Sequence, residues 1–203
     1  MGRPRTFDDD VVLERATRQF WRDGYGATSV SELEAATGLG RKSLYNAFGP
    51  KDQLFLLALD LFAARAGAHN LAPLEETGAT FDSIEEMLRR VAAEADTETG
   101  AFGCLICNTA REPISARDEV SRRITAYFER IEAAFAHALR GELARRSSGA
   151  STPAPIEELA AFLAGTLIGL CTAARSPLRP AARHAFVEQA LRHVGRELDA
   201  TSW

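Results

Sequence analysis

Arg41, Lys42, Tyr45, Asn46 and Lys51 fall within eleven consecutive positions and share one kind of chemistry. A guanidinium or ammonium pairs with guanine edges or phosphate oxygens, a carboxamide suits adenine, and a phenol reaches a phosphate. Lys51 adds an independent argument. Gly49-Pro50 opens a helix whose first turn holds Lys51, at the positive end of the helix dipole, where a cation is electrostatically misplaced. An anion bound at that helix start accounts for it, and duplex phosphate supplies one. Two plainer readings stand beside these: a solvated polar face for Arg41 to Asn46, and an exposed lysine tolerated at little cost.

Nothing comparable marks a catalytic centre. His69, His137, His184 and His193 fall on helix faces or near helix ends with no nucleophile, carboxylate dyad or Gly-rich phosphate loop beside them. No enzyme and no cofactor are therefore expected. Cys104 and Cys107 lack the second pair or histidine neighbours of a zinc site, so no metal is expected either. Three cysteines fit a reducing cytoplasm. Met1-Gly-Arg-Pro-Arg-Thr6 has no apolar run behind it and does not read as a secretory signal. The apolar stretch Leu159–Ala174 falls short of the ~20 residues of a membrane-crossing helix. The expectation is a cytoplasmic protein without a membrane partner.

The 203 residues carry a net charge of −4, which is no global signal for nucleic acid. The charge is unevenly divided. Residues 1–51 hold eight Lys/Arg against seven Asp/Glu, and the remainder sixteen against twenty-one. A local basic patch is enough to meet phosphates.

The elements that must position the basic cluster are short helices with clear ends. Val12, Leu13, Ala16 and Phe20 stripe a first helix, with Asp8, Asp9 and Asp10 at its start and Gly24 and Gly26 at its exit. Ser29-Val-Ser-Glu32 has the spacing of a capping box and opens a helix over Val30, Leu33 and Ala36 that stops at Gly38. After the turn Gly38-Leu-Gly40, a helix from Arg41 to Phe48 turns Leu44, Ala47 and Phe48 inward and the polar residues outward. Two helices joined by a three-residue turn over about 29–48 have the dimensions of a helix-turn-helix. Pro50 starts a further helix through Leu54, Leu57, Leu61 and Phe62 to about Ala68.

Residues 70–80, with Pro73 and Gly78, read as a loop. Helices follow over Ile84–Val91, Gly103–Arg111, Val120 to about Arg146, about 156–175 and about 181–198, with Ser147–Pro155 as the clearest linker. No strand alternation occurs, so the fold is all-α.

Gly38-Leu-Gly-Arg-Lys-Ser-Leu-Tyr45-Asn-Ala-Phe48-Gly-Pro-Lys51-Asp-Gln-Leu-Phe55 resembles the recognition-helix signature of TetR/AcrR-type regulators. Phe20, Gly24-Tyr-Gly26 and Thr28-Ser-Val30 are similar to the segment that precedes it. The resemblance implies an N-terminal three-helix DNA-binding domain over residues 6–66 and a helical effector-binding and dimerisation domain over 67–203. It implies phosphate contacts from Thr28 or Ser29, Tyr45 and Lys51. Base contacts would come from Arg41, Lys42 and the neighbouring Ser43 and Asn46. The partners it implies are a palindromic double-stranded operator and an unknown small-molecule effector that releases it, and it implies repression. Asn46 and Ala47 stand where the family often has His and an aromatic, and Gly40 where Ser is common, which leaves the operator sequence open. Arg3 and Arg5 flank Pro4 in an arm that reads either as a minor-groove contact or as a plain basic tail.

The run Leu159–Cys171 is apolar on every side, and a partner subunit is the economical cover for such a helix in a body this small. Gly165 and Gly169 permit close helix approach. With the amphipathic segment that follows, this places a homodimer interface on Phe162, Gly165, Leu167, Gly169, Val187 and Leu191, an arrangement the resemblance also implies. Burial within one subunit is the other reading. Phe62, Phe102, Cys104, Tyr127 and Phe128 are candidates for an effector pocket, although each alone reads equally as core.

Cys104, at the start of a short helix, suits either a stabilised thiolate that senses electrophiles or a small buried hydrophobe. A thiol-based regulator acting through Cys104 is thus one alternative. A helical protein-interaction adaptor is another, but it leaves Tyr45, Lys51 and the turn unexplained.

Overall fold

Capping residues and glycines cut the first part of the chain into four helices. The computed structural model describes residues 7–146 and 155–200. The arm bearing Arg3 and Arg5 and the linker positions 147–154 lie outside the described residues. Asp8 caps α1 (Asp9–Asp23) by accepting from the Asp10 N–H at 2.9 Å. Ser29 caps α2 (Val30–Thr37) as half of a capping box: Ser29 Oγ accepts from the Glu32 N–H, and Glu32 Oε2 accepts from the Ser29 N–H at 2.6 Å. Gly38, at φ +75°, ends α2 in the left-handed region that a side chain would resist. Next come α3 (Arg41–Phe48) and α4 (Lys51–Ala66).

Residues 70–75 differ from the loop expected over 70–80. A π-turn (Gly67–Leu71) leads directly into α5 (Ala72–Glu75). Pro73 explains it: proline offers no N–H and its ring crowds the carbonyl four residues back. The wider turn, with the Ala72 N–H donating to the Gly67 carbonyl, relieves that clash instead of breaking the helix. The remaining helices are α6 (Phe81–Glu94), α7 (Leu105–Thr109), α8 (Asp118–Arg146), α9 (Ile156–Ala173) and α10 (Pro180–Ala200). Short 3₁₀ turns occupy Gly100–Phe102 and Pro113–Ala116. The fold is all-α, with no strand among the described residues.

These helices group into two compact units, and the grouping is not the single cut after residue 66 that the sequence suggests. The first unit runs up to Arg65 and also takes Cys104–Ile124; the second comprises Ala66–Gly103 and the chain from Thr125 onward. The inserted segment brings Leu105, Ile106, Ile114 and Val120 into the first unit as buried side chains. They join a core of Val12, Ala16, Phe20, Leu33, Leu44, Leu54, Phe55 and Leu59. Phe20 meets Phe55 edge-on at 5.0 Å, and Trp21 meets Phe62 at 5.1 Å. Contacts of this range leave no periodic trace in sequence, which is why the segment read as part of the body.

In the second unit, α6 packs on α9 and α10. Arg89 on α6 pairs with Glu188 on α10 at 2.7 Å. Glu142, only 1% exposed, is held by Arg145 and Arg146 at 2.6 and 2.5 Å. Among the described residues, two helical runs, Lys51–Glu75 and Ile156–Ala173, are long and apolar enough to cross a membrane by length and composition, against the expectation that the stretch Leu159–Ala174 falls short. In Ile156–Ala173, Leu159, Leu163, Leu167 and Leu170 are spent on the core of the second unit.

Candidate nucleic-acid interface

On α3, Leu44 and Phe48 are buried while Arg41, Lys42, Ser43 and Asn46 are exposed and Tyr45 is half-buried. The polar face expected from the helical repeat is therefore free to meet a partner. Its N-terminus is secured from α2. Gly40 has no side chain to cap with, and Glu34 Oε1 accepts the Arg41 N–H at 2.5 Å instead. The Arg41 guanidinium lies 5.2 Å from the centroid of the Tyr45 ring, which splays these two groups along one side of the helix.

Lys51 opens α4 as expected, and its ammonium lies 4.1 Å over the Tyr25 ring. Burial pushes the Lys51 ammonium below its ordinary range, opposed by the carboxylates of Asp52, Glu112 and Glu32. Tyr25 is itself gripped. Its ring lies 4.9 Å from Phe55, and its hydroxyl donates to Asp52, which also accepts from Arg117. The Tyr25 hydroxyl and the Arg117 guanidinium hold the Asp52 carboxyl below the usual range. Burial, with Asp52 adding to it, pushes the Tyr25 phenol up to about 12.

The backbone around Tyr25 is fixed by a residue far along the chain. Glu112 Oε2 accepts the Gly26 N–H at 2.8 Å and Oε1 the Tyr25 N–H at 3.2 Å. Gly24 makes room for that carboxylate: its φ is +87°, and a Cβ there would lie 2.8 Å from Glu112 Oε1.

One DNA-contact candidate is corrected. Thr28 is fully buried, and its hydroxyl donates to the Gly24 carbonyl at 2.6 Å, so its side chain cannot reach a phosphate. Ser29 is exposed, with Oγ accepting from the Glu32 N–H. Sequence reasoning assigned no role to Glu34, Asp52, Glu112 or Arg117. The two glycines flanking Tyr25 were the only local sign that something approaches that backbone closely.

The pocket candidates divide between the units. Phe62 and Cys104 belong to the first, where Phe62 packs against Trp21; Phe102, Tyr127 and Phe128 belong to the second. Tyr127 is 8% exposed, with Phe128 at 6.4 Å. Cys104 occupies the N-cap position of the five-residue α7 and is buried, at 6% exposure. The dimer candidates also divide. Phe162, Gly165 and Gly169 are exposed on α9, but Leu167, Val187 and Leu191 are buried within the protomer and have little surface left to offer a second copy. Phe186 on α10, 46% exposed, stands with the exposed set. The four histidines have structural partners: His69 with Glu94, His184 with Asp96, His137 with the Leu74 carbonyl, and His193 edge-on to Phe162.

A helix-turn-helix whose second helix presents Arg, Lys and Asn outward defines a DNA-binding regulator. The family profile for bacterial regulatory proteins of the tetR family matches residues 12–58. The uncharacterized HTH-type transcriptional regulator YezE of Bacillus subtilis strain 168 is 35% identical over 140 residues, 68% of this chain and 72% of that one. The HTH-type transcriptional repressor ComR of Escherichia coli K12 is 35% identical over 112 residues, 53% of each chain. Among solved structures, the TetR family regulator CifR, as a cysteine mutant complexed with 26-bp double-strand operator DNA, superposes with a TM-score of 0.81 at 32% identity, covering 94% of this chain and 98% of that one. The chain belongs to the TetR family. It is a DNA-binding transcriptional regulator, and the adaptor reading is set aside.

Proposed function

We propose that the protein is a homodimeric repressor that holds a palindromic operator through Ser29, Arg41, Lys42, Ser43, Tyr45, Asn46 and Lys51, and releases it when the second unit binds a small molecule. The observation that carries the DNA contact is the exposed polar face of α3 set beside the Lys51 start of α4. The similar ComR is named a repressor, which supports repression. The similar CifR is seen on a 26-bp duplex, a length that accommodates two half-sites one helical turn apart, roughly 34–36 Å.

In this reading, residues 6–66 bind DNA with the help of 104–124, and the rest of 67–203 carries the effector and dimer contacts. Arg41 and Lys42 read base edges, while Lys51 and Tyr45 position the protein on phosphates. Duplexes selected from random sequence provide the test, followed by titration across a range of salt. Lys51→Ala is expected to weaken all selected duplexes alike and to make the salt dependence shallower by roughly one unit. Arg41→Ala and Lys42→Ala instead change which base pairs are selected, by about 1–3 kcal/mol per contact. Three variants with unchanged affinity and preference would refute this docking.

A further inference from the structure

We infer that Glu112 is a positioning residue for DNA binding: its carboxylate latches the Tyr25–Gly26 backbone and so sets the Lys51 phosphate contact. The inference rests on the docking proposed above.

Glu112 lies in the most distinctive stretch outside the reading head, Gly103-Cys-Leu-Ile-Cys107-Asn-Thr-Ala-Arg-Glu112, for which the basic cluster itself has no use. The stretch is built to deliver one side chain. Thr109 Oγ1 donates to the Leu105 carbonyl at 2.8 Å, and Arg111 donates to Asn108 Oδ1 at 3.2 Å, while Leu105 and Ile106 anchor the turn in the first unit's core. Beyond them, both Glu112 oxygens are engaged by consecutive amides 86 and 87 residues away in the chain. Gly24 leaves the space the carboxylate fills.

The same short loop does two things for DNA. It carries the Tyr25 ring on which the Lys51 ammonium rests, and it runs on through Thr28 to Ser29 at the start of α2. Arg117, five residues after Glu112, reinforces the arrangement through Asp52, which holds the Tyr25 hydroxyl. The segment Cys104–Ile124 thus braces the phosphate-facing loop from behind. A charge-assisted bond to two backbone amides is among the stronger ways to fix a loop.

Charge alone predicts the opposite outcome to the latch, which makes the test sharp. Removing a carboxylate near a surface that meets a polyanion strengthens binding by ordinary electrostatics. If Glu112 is a latch, its removal weakens binding. The measurement is the affinity of wild type, Glu112→Gln, Glu112→Ala, Lys51→Ala and Glu112→Gln/Lys51→Ala for one duplex selected by the wild-type protein, across a range of salt. Glu112→Gln keeps the shape and one acceptor, so it serves if the alanine variant folds poorly.

The expected result for Glu112→Gln is a loss of roughly tenfold, the scale of one bond to a charged group, with a salt slope shallower by about 0.9, the signature of one lost phosphate contact. In the double variant the losses should not multiply, because both substitutions remove the same contact. A Glu112→Gln protein that binds as tightly as wild type or tighter overturns the inference. So does a loss that multiplies with that of Lys51→Ala at unchanged salt slope, as general destabilisation would give. If Lys51→Ala itself is silent, the docking has failed, and the latch with it, an outcome distinct from a silent Glu112 beside an effective Lys51.

Discussion

The reading head and the α9–α10 face solve the problem of waiting for a partner in opposite ways. In the head, the groups offered to DNA are polar and water-tolerant, and their scaffold is held by caps and ion pairs: Glu34 on the Arg41 amide, Glu112 on the Tyr25–Gly26 amides, Asp52 between Tyr25 and Arg117. On α9 and α10 the exposed groups are rings and glycines, with Phe162 and Phe186 at 42% and 46% exposure. A polar surface keeps its hydrogen bonds to water until DNA arrives. An exposed aromatic surface costs free energy until something covers it, and contiguous exposure of that kind marks an interaction site. The head is thus suited to reversible, salt-tuned contact, and the α9–α10 face to a lasting one, which in the function proposed above is made with a second copy.

The largest expected effect breaks the second half of this contrast. Gly165 is exposed and a Cβ there meets nothing within 4 Å, so Gly165→Arg has room to start outward while placing a cation in a surface that a dimer would dry. An unpaired buried charge costs several kcal/mol. Sedimentation should show monomer, thermal unfolding should show a folded protein, and operator binding should be lost. A Gly165→Arg protein that stays dimeric and binds normally moves the interface off this face and leaves Phe162 and Phe186 unexplained.

A smaller effect sharpens the contrast from inside the second unit. Glu142 accepts hydrogen bonds as Glu34, Asp52 and Glu112 do in the head, but it is buried and belongs to the second unit. Burial alone would raise its pKa, but the bonds from Arg145 and Arg146 together carry it below the ordinary value of 4.5. The sign follows from linkage: a carboxyl depressed by folding contributes stability above its unfolded pKa, and loses it as pH falls through the folded one. Glu142→Gln is expected to cost about 2 kcal/mol at neutral pH. Its unfolding curve should approach that of wild type in acid. The salt slope of operator binding should not change, in contrast to any variant that disturbs the Lys51 contact.

What was legible in the sequence follows the range of the interaction. Helix ends at Gly24, Gly38 and Gly49, the Ser29–Glu32 box and the inward turn of Leu44 and Phe48 depend on neighbours within a few residues, and their spacing shows. The outward cluster of Arg41, Lys42 and Asn46 is visible for the same reason. Thr28 was misread because a hydroxyl beside a helix start looks like a phosphate donor until its bond to the Gly24 carbonyl is seen. Leu167, Val187 and Leu191 were misread because an apolar helix has two possible covers, and sequence does not say which residues face which. Glu112 and Arg117 were beyond reach: their partners lie 65 to 87 residues away, and a lone Glu or Arg in a loop has no periodicity to reveal a partner.

The smallest effect tests how the head's scaffold divides its work. Tyr25→Phe removes the hydroxyl bond to Asp52 but keeps the ring that touches Phe55 and carries the Lys51 ammonium. If the ring positions Lys51 and the hydroxyl only steadies the ring, operator affinity should fall less than for Lys51→Ala, and the salt slope should stay at its wild-type value. The stability cost should be at most about 1 kcal/mol, because the Asp52 side chain is 42% exposed and water screens its bonds. Its pH dependence is fixed at both ends. The Asp52 carboxyl is depressed below 3.8, so the bond contributes above that value and is lost as acid protonates it. The Tyr25 phenol is raised from 10.0 to about 12, so the bond is fully present below 10.0 and lost as pH rises through about 12. Between these limits the contribution is flat. Unfolding curves of wild type and Tyr25→Phe should therefore differ by a constant amount around neutrality and converge well below pH 3.8. If the two proteins differ equally in strong acid, the hydroxyl's value lies in packing rather than in Asp52. If Tyr25→Phe shortens the salt slope as far as Lys51→Ala does, the hydroxyl and not the ring is what places the ammonium against the phosphate.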